Sequence, residues 1–503
     1  MTMNQLRPYT AYASRPFAKA ERQNVTLLFG GLHWRAERLL EGMLENLGYR
    51  AKSLPPATRE DLLRGRELAD IGQCCPTTFI TGNLVNFLLK ERDRIGPEAV
   101  ARDYAYITAG SCGACRFGQY HQSYELALRN IGLENFRLFL MAQDSLDQSA
   151  APGDGLELNL SFTLGTAWAM LCTDVLQDLE YQIRPYELVP GATERAVRAA
   201  IEELYEAFRT RPYSGRKWGA LAWYMTTSYF VDALRRARRH FETIEVDRLQ
   251  VKPKVKITGE FYLQTVEGAP NYNIHHWLEQ EGAEVYPAAV AIWLDYIIRY
   301  YAERFNDYRG IRPLCGTKSA GLRLLSRLLR VSYDRLRRAL LNIPREMPNQ
   351  YALQRLAAPF FDRRLSGGEG DMLIGKALWA YLGRKAHMIC ELSPYACMPN
   401  TMSVGAMAAA LGKHPDLLYA PLEIKGDSEV HALSRCQMVL TEARKRAQQE
   451  FDGALELTGL SQEEARLLLE ARPEMREALY QVPHLGAAGT AANVVLALAG
   501  RRL

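Results

Sequence analysis

Short apolar runs that end in glycine turns alternate along this chain with longer stretches of helical period. Val25 to Phe29 (VTLLF) is continuous and apolar, which predicts a buried strand; Gly30-Gly31 predicts a turn. Spacing from His33 to Leu47 predicts an amphipathic helix, and Tyr49 to Leu54 the next strand. The same order returns with a strand over Tyr104 to Thr108, a turn over Gly110 to Gly113, a helix from about Phe117 to Asn130 and a strand over Phe136 to Met141. Such alternation builds a parallel sheet with helices on both faces.

From about Asn159 to Arg239 the apolar residues keep helical spacing without strands between them. A second α/β pattern opens with a strand over Lys254 to Thr258, a helix over Asn271 to Gln280 and a strand over Ala283 to Tyr286, then runs through helices to about Leu341. A third cluster has a helix over Asp371 to Leu382 and a strand over Ala386 to Cys390, followed by a proline-bearing loop over Ser393 to Asn400. It continues with a helix over Met402 to Leu411, a strand over Leu417 to Pro421 and a helix over Val430 to Gln448. The expected fold is α/β: two flavodoxin- or Rossmann-like parallel-sheet domains with a helical insertion and a helical C-terminal tail. The expected division is a lead segment 1–24, a first α/β domain 25–155, a mostly helical segment 156–250, a second α/β domain 251–450 and an extension 451–503.

Composition agrees with an enzyme-sized globular chain. Over 503 residues, 48% are hydrophobic and 24% charged, with 37 Gly and 23 Pro, which excludes collagen-like and disordered classes. A net charge of +5 over this length is too dilute to indicate nucleic acid. The most apolar window, Ala487 to Ala499, is thirteen residues long and interrupted by Gly489, Thr490 and Asn493, so no membrane partner is expected. The N-terminal residues lack the apolar core of a secretory signal, which makes a cytoplasmic location the expectation.

Nine cysteines, an odd number and partly clustered, suit metal or redox chemistry better than disulfides. Gly110-Ser111-Cys112-Gly113-Ala114-Cys115-Arg116 follows a predicted strand and opens a predicted helix. Its C-x-x-C spacing places two thiols within reach of one metal, and a helix N-terminus with Arg116 favours the thiolate. Cys74 and Cys75 in GQCCPTTF, and Cys397 in SPYACMPNT, occupy loops of the same kind. Ligands of parallel sheets bind beyond the carboxyl ends of the strands, so these loops are expected to converge on one crevice. Thiolates with little histidine suit an iron–sulfur cluster or zinc; the alternatives are a thioredoxin-like dithiol at Cys112 and Cys115, or packing. Cys172, Cys315, Cys390 and Cys436 have no close thiol neighbour in sequence and read as core, with Cys315 in a glycine loop as a further ligand candidate beside Cys75.

Other motifs narrow the chemistry. Gly375-Lys376 and Gly412-Lys413 lack the Ser or Thr of a phosphate-binding P-loop, so the chain itself is not expected to bind ATP. Leu365 to Glu369 (LSGGE) reads as a chance glycine loop, and the adjacent His275-His276 as polar surface. The segment Gly259 to Asn273 carries Glu260, Glu267 and Asn271 beside aromatics; Glu260 and Glu267 are the candidate catalytic carboxylates of a substrate pocket, with a solvated loop as the alternative.

A series of co-linear segments resembles a known family: QCCPTTFITGNLVNFL, TAGSCGACRFGQYHQSYELALRNIGLENFR, YQIRPYE, KPKVKITGEF, TVEGAPNY, LEQEGAEV, GGEGDMLIGKAL and ACMPNTMS. Together they are similar to 2-hydroxyglutaryl-CoA dehydratase activator-related (CoA-substrate-specific enzyme activase-like) proteins. These belong to the wider superfamily of 2-hydroxyacyl-CoA dehydratases, benzoyl-CoA reductases and double-cubane-cluster proteins. The resemblance implies an iron–sulfur cofactor, 4Fe-4S or a double-cubane 8Fe-9S cluster, held by Cys74, Cys112, Cys115 and Cys397 with Arg116 beside it. It departs from the family pattern at Cys75, which stands where a non-thiol is expected and is a rival ligand to Cys74. It further implies a separate ATP-hydrolysing activator of the acetate-kinase and actin type as electron donor, a ferredoxin or flavodoxin upstream, and a homo- or heterodimer. The expected function is a reductase or dehydratase component acting on an acyl-CoA or other small substrate. The alternative is a non-catalytic protein that holds or delivers a cluster.

Overall fold

The computed structural model describes residues 12–68, 72–110, 115–142, 155–212, 217–365 and 369–501. Two four-stranded sheets, each parallel throughout, form its frame. The first runs β1 (Thr26–Phe29), α1 (Trp34–Asn46), β2 (Arg50–Ser53), α2 (Arg59–Leu68), α3 (Cys75–Ile95), α4 (Pro97–Asp103), β3 (Tyr104–Gly110), α5 (Tyr120–Asn130) and β4 (Arg137–Ala142), with strand order β2-β1-β3-β4. Burial follows position: every residue of central β1 is buried, whereas edge strand β2 (RAKS) alternates between exposed and half-buried residues.

A helical layer follows: α6 (Leu160–Ile183), α7 (Ala192–Arg209), α8 (Lys217–Thr226) and α9 (Tyr229–Arg238). Helix α6 is buried on nearly all sides, which is why its sequence is so apolar. Its buried Asp174 accepts hydrogen bonds from Val290 N (2.8 Å) and Ala291 N (2.7 Å), so it caps a helix of the next domain.

The second sheet repeats the first in order, β6-β5-β7-β8. It is built from β5 (Lys254–Gly259), α10 (Phe261–Thr265), α11 (Ile274–Gln280), β6 (Glu284–Tyr286), α12 (Val290–Asp307), α13 (Cys315–Ala339), α14 (Gln350–Ala357), α15 (Gly370–Leu382), β7 (Met388–Pro394), α16 (Met398–Lys413), β8 (Leu418–Ile424) and α17 (Glu429–Thr458). Helices α18 (Gln462–Glu470) and α19 (Thr490–Leu498) follow. No helix among the described residues is long and apolar enough to cross a membrane.

Several boundaries differ from the sequence expectation. The helix expected to end at Gln448 continues unbroken to Thr458 and stops where Gly459 turns to φ +70°. Phe451 therefore sits inside this helix and packs with Leu469 and Val495, so the chain has no break where the extension was expected to start. Strand β7 extends four residues beyond Cys390 to Pro394, and α16 starts early at Met398, so the predicted loop shrinks to residues 395–397. Tyr272 and Asn273 are left-handed (φ 57° and 49°), which delays α11 to Ile274. The predicted turn over Gly110 to Gly113 lies mostly outside the described residues.

Helix α3 lies between the two sheets. Its Leu84 and Leu88 pack into the core of the first, with Tyr106 and Tyr124, and its Cys75 and Phe79 pack into the core of the second, with Ile257 and Leu392. Helix α2 approaches it at backbone contact: a Cβ on Gly65 would stand 1.8 Å from Thr78 O, and one on Gly82 1.8 Å from Asp61 O. Gly82→Ala should therefore cost at least about 1–3 kcal/mol by overpacking. Gly405→Ala, on the exposed face of α16 with nothing near its Cβ, should be neutral or stabilising; thermal melts of both variants check the contrast.

Candidate functional site

The carboxyl edges of both sheets border one cavity of about 370 Å³. Cys74, Cys115 and Cys397 line it, and each occupies the same local position: Cys74 is the N-cap of α3, Cys115 of the short 3-10 turn Arg116–Gln119, and Cys397 of α16. All three have extended backbone, and the sulfurs of Cys74 and Cys397 reach side chains in the first turn of the helix each caps, Thr77 Oγ1 at 3.1 Å and Asn400 Oδ1 at 3.8 Å. Prolines Pro76 and Pro399 fill the first turns of α3 and α16, where a missing N–H costs nothing. A left-handed Ala396 (φ 61°) turns the chain out of β7 into the Cys397 cap. The remaining walls are largely apolar, with aromatic rings such as Phe117, Tyr120, Phe261, Trp293 and Tyr296 among aliphatic side chains.

The thiols sit in an environment that opposes bare negative charge. Burial pushes Cys115 up to about 12 and Cys397 further up, with the Glu260 carboxyl adding to both. Cys74 Sγ lies 3.0 Å from Tyr120 Oη and 3.1 Å from Thr77 Oγ1. A bound cation or cluster would offset the loss of the Cys115 and Cys397 protons, so ligation here is coupled to proton release.

Carboxyl groups close the second-sheet side. Glu260 caps α10, accepting from Leu263 N at 3.0 Å, and burial pushes it up to about 7. Glu369 lines the same cavity; burial and then the neighbouring Glu260 push it up to about 8, and its Oε2 is buried without a hydrogen-bond partner among the described residues. Behind it, burial lowers Lys376 to about 8 against the pull of Glu369 and Glu391, and its Nζ donates to Gln264 Oε1 at 3.2 Å. These groups hold protons that move near neutral pH.

The predicted site residues divide. Arg116 and Glu260 line the thiol cavity; Glu267 does not, because its carboxylate is bound by Arg35 at 2.5 Å, beside a neighbouring chamber. Cys75 points away into the core of the second sheet, and its N–H donates to Tyr395 O at 3.2 Å. Cys315 is buried at the start of α13 and is not a wall of the cavity. Cys112 lies outside the described residues. Asn271 is structural: fully buried, it donates to Leu263 O and Val266 O at 2.9 and 2.7 Å. His276 is exposed as expected, but His275 is not polar surface: it is buried against Tyr181, because α11 turns that face inward. Cys172, Cys390 and Cys436 are fully buried.

In the sequence Glu369 reads only as the end of a chance glycine loop and Lys376 only as part of a rejected phosphate-loop pair, so neither is assigned to a site. The available signal was GGEGDM, a glycine-rich turn with an acid directly before an apolar helix. Among the described residues, no three thiol, imidazole or carboxylate groups are grouped so as to hold a metal ion. No protein-family model matches the chain, and no curated protein matches it.

In metal-free protein at neutral pH, Cys115 should alkylate slowly with iodoacetamide, because its thiolate fraction is small. Its rate should keep rising above pH 9, where an ordinary thiol levels off. Mass-spectrometric rate profiles check this; a plateau near pH 9 contradicts the burial effect.

Proposed function

We propose that this cavity seats an iron–sulfur cluster held by Cys74, Cys115 and Cys397, with Cys112 of the same GSCGAC segment completing the set. In this reading the protein accepts low-potential electrons from a separate ATP-hydrolysing activator and reduces an acyl-CoA or other small substrate. The observation that carries the reading is the triple N-cap: three thiols, from both sheets, at one cavity. The donor set fits the group, since soft thiolates on helix N-termini within an apolar, aromatic wall suit iron–sulfur ligation. When bound, the cluster supplies one-electron reducing chemistry.

The chain's own residues have three parts. The cysteines fix the cofactor, the aromatic walls exclude water, and Glu260 and Glu369 hold protons at carboxyl oxygens beside the cavity. The volume beside the thiols favours turnover over mere cluster storage, because a scaffold needs no adjoining apolar chamber.

Protein purified without oxygen should be brown and carry about four or more irons per chain with matching acid-labile sulfide. Cys115→Ser and Cys397→Ser should lose most of the iron, while Cys172→Ser and Cys436→Ser should retain it. Stoichiometric zinc without sulfide, or equal loss in all four variants, contradicts the reading. Activator ATPase, ATP and a strong reductant should together reduce the cluster; full reduction and turnover with a ferredoxin alone would remove the ATP-driven step.

A further inference from the structure

A second chamber of about 260 Å³ adjoins the thiol cavity and shares its walls Gly30, Gly31, Ile80, Tyr106 and Tyr262. It opens at the carboxyl end of β1, beside the N-terminus of α1. Gly31 is left-handed (φ +96°), a conformation glycine adopts without strain, while a Cβ there would make only ordinary contact with the Tyr262 ring at 3.7 Å.

His33 lines this chamber and is 1% exposed. It is the N-cap of α1, and its Nδ1 accepts from Ala36 N at 3.3 Å. That bond fixes the tautomer of the neutral ring, so Nε2 carries the proton. Burial, then Arg35, keep the imidazole neutral by lowering it to about 3. The resulting Nε2–H is buried with no acceptor among the described residues. A buried donor left without an acceptor is costly, and such a group in a native structure calls for a partner.

The surroundings choose the ligand's charge. Glu267 lines the same chamber, and although burial alone would raise it, Arg35 and His33 bring it down to about 2, so it is a carboxylate. Arg35 is already shared between Glu267 and Glu180, and among the described residues no Lys or Arg lines this second chamber, Arg116 standing in the wall of the thiol cavity instead. Glu37, another wall, accepts from Leu32 N at 3.1 Å and is pushed up to about 8 by burial, so it is mostly neutral at pH 7. A second anion is disfavoured here, and an uncharged acceptor is not.

We infer that the two chambers form one elongated binding site for a small molecule with an apolar or aromatic body and an uncharged carbonyl, the body lying along the aromatic walls near the thiols and the carbonyl oxygen accepting from His33 Nε2–H. The inference extends the proposed function by naming a substrate class, but it concerns binding by the chain itself and does not require the cluster.

The test uses 4-phenylbutan-2-one and 4-phenylbutyrate as probes, with Kd measured by ligand-observed NMR on the full chain. The ketone should bind at least roughly tenfold more tightly than the carboxylate. His33→Asn keeps an N-cap acceptor but withdraws the ring donor, and should weaken the ketone roughly tenfold, one neutral hydrogen bond, without affecting the carboxylate. No ketone binding at millimolar concentration, a carboxylate that binds equally well, or an unchanged ketone Kd in a folded His33→Asn would each overturn the inference. Iron content measured on the same preparation separates the two readings: iron without ketone binding removes only this inference, and ketone binding without iron removes only the cluster.

Discussion

Helix α3 cannot belong to one domain alone. It faces the core of the first sheet with Leu84 and Leu88 and the core of the second with Cys75 and Phe79, and α2 is pressed against it at glycine-only distance. Its N-terminus is consequently held between the two carboxyl edges, pinned to the second sheet by the Cys75 N–H to Tyr395 O bond. Nearby, Gly426 admits Leu62 and Phe79 where any side chain would collide. The position of Cys74 is thus a consequence of packing on both sides of one helix.

The remaining geometry follows from parallel strand order. Each sheet places its first and third strands side by side at the centre, so the loops leaving them spread apart and open a crevice. In the first sheet those loops carry Gly30, Gly31 and Cys115; in the second they carry Glu260 and Cys397. Helices that start at this edge present their N-termini to the crevice, which explains why cysteines from distant segments share one capping position. The buried Arg35, bonded to Glu180 of α6 and to Glu267 after β5, ties the helical layer and the second domain to α1, next to the same crevice. Removing that guanidinium would leave two buried carboxylates without their partner.

Much of this was legible in the chain. Continuous apolar runs such as VTLLF and KVKIT marked central strands because both faces of a parallel sheet are covered. The cysteine loops were legible as site-forming because glycine, proline and thiol fell between strand and helix. What was not legible depended on direction in space. Cys74 and Cys75 are adjacent in sequence, and only the packing of α3 sends one to the cavity and the other to a core. Glu267 looked equivalent to Glu260 until Arg35, far away in sequence, claimed it. His275 carried no outward sign of burial, since α11 is short and its start depends on two left-handed residues. Glu369 enters the cavity because α15 begins immediately after it, a tertiary fact that GGEG alone does not state.

The central claim, a cluster seated on three helix N-caps, is tested most directly by anomalous scattering at the iron edge from crystals grown without oxygen. The account predicts iron peaks within the cavity, adjacent to the sulfurs of Cys74, Cys115 and Cys397, and none beside Cys75 or Cys315. Iron bound elsewhere on the chain, or a cavity without anomalous signal in protein that retains iron and sulfide in solution, would contradict it.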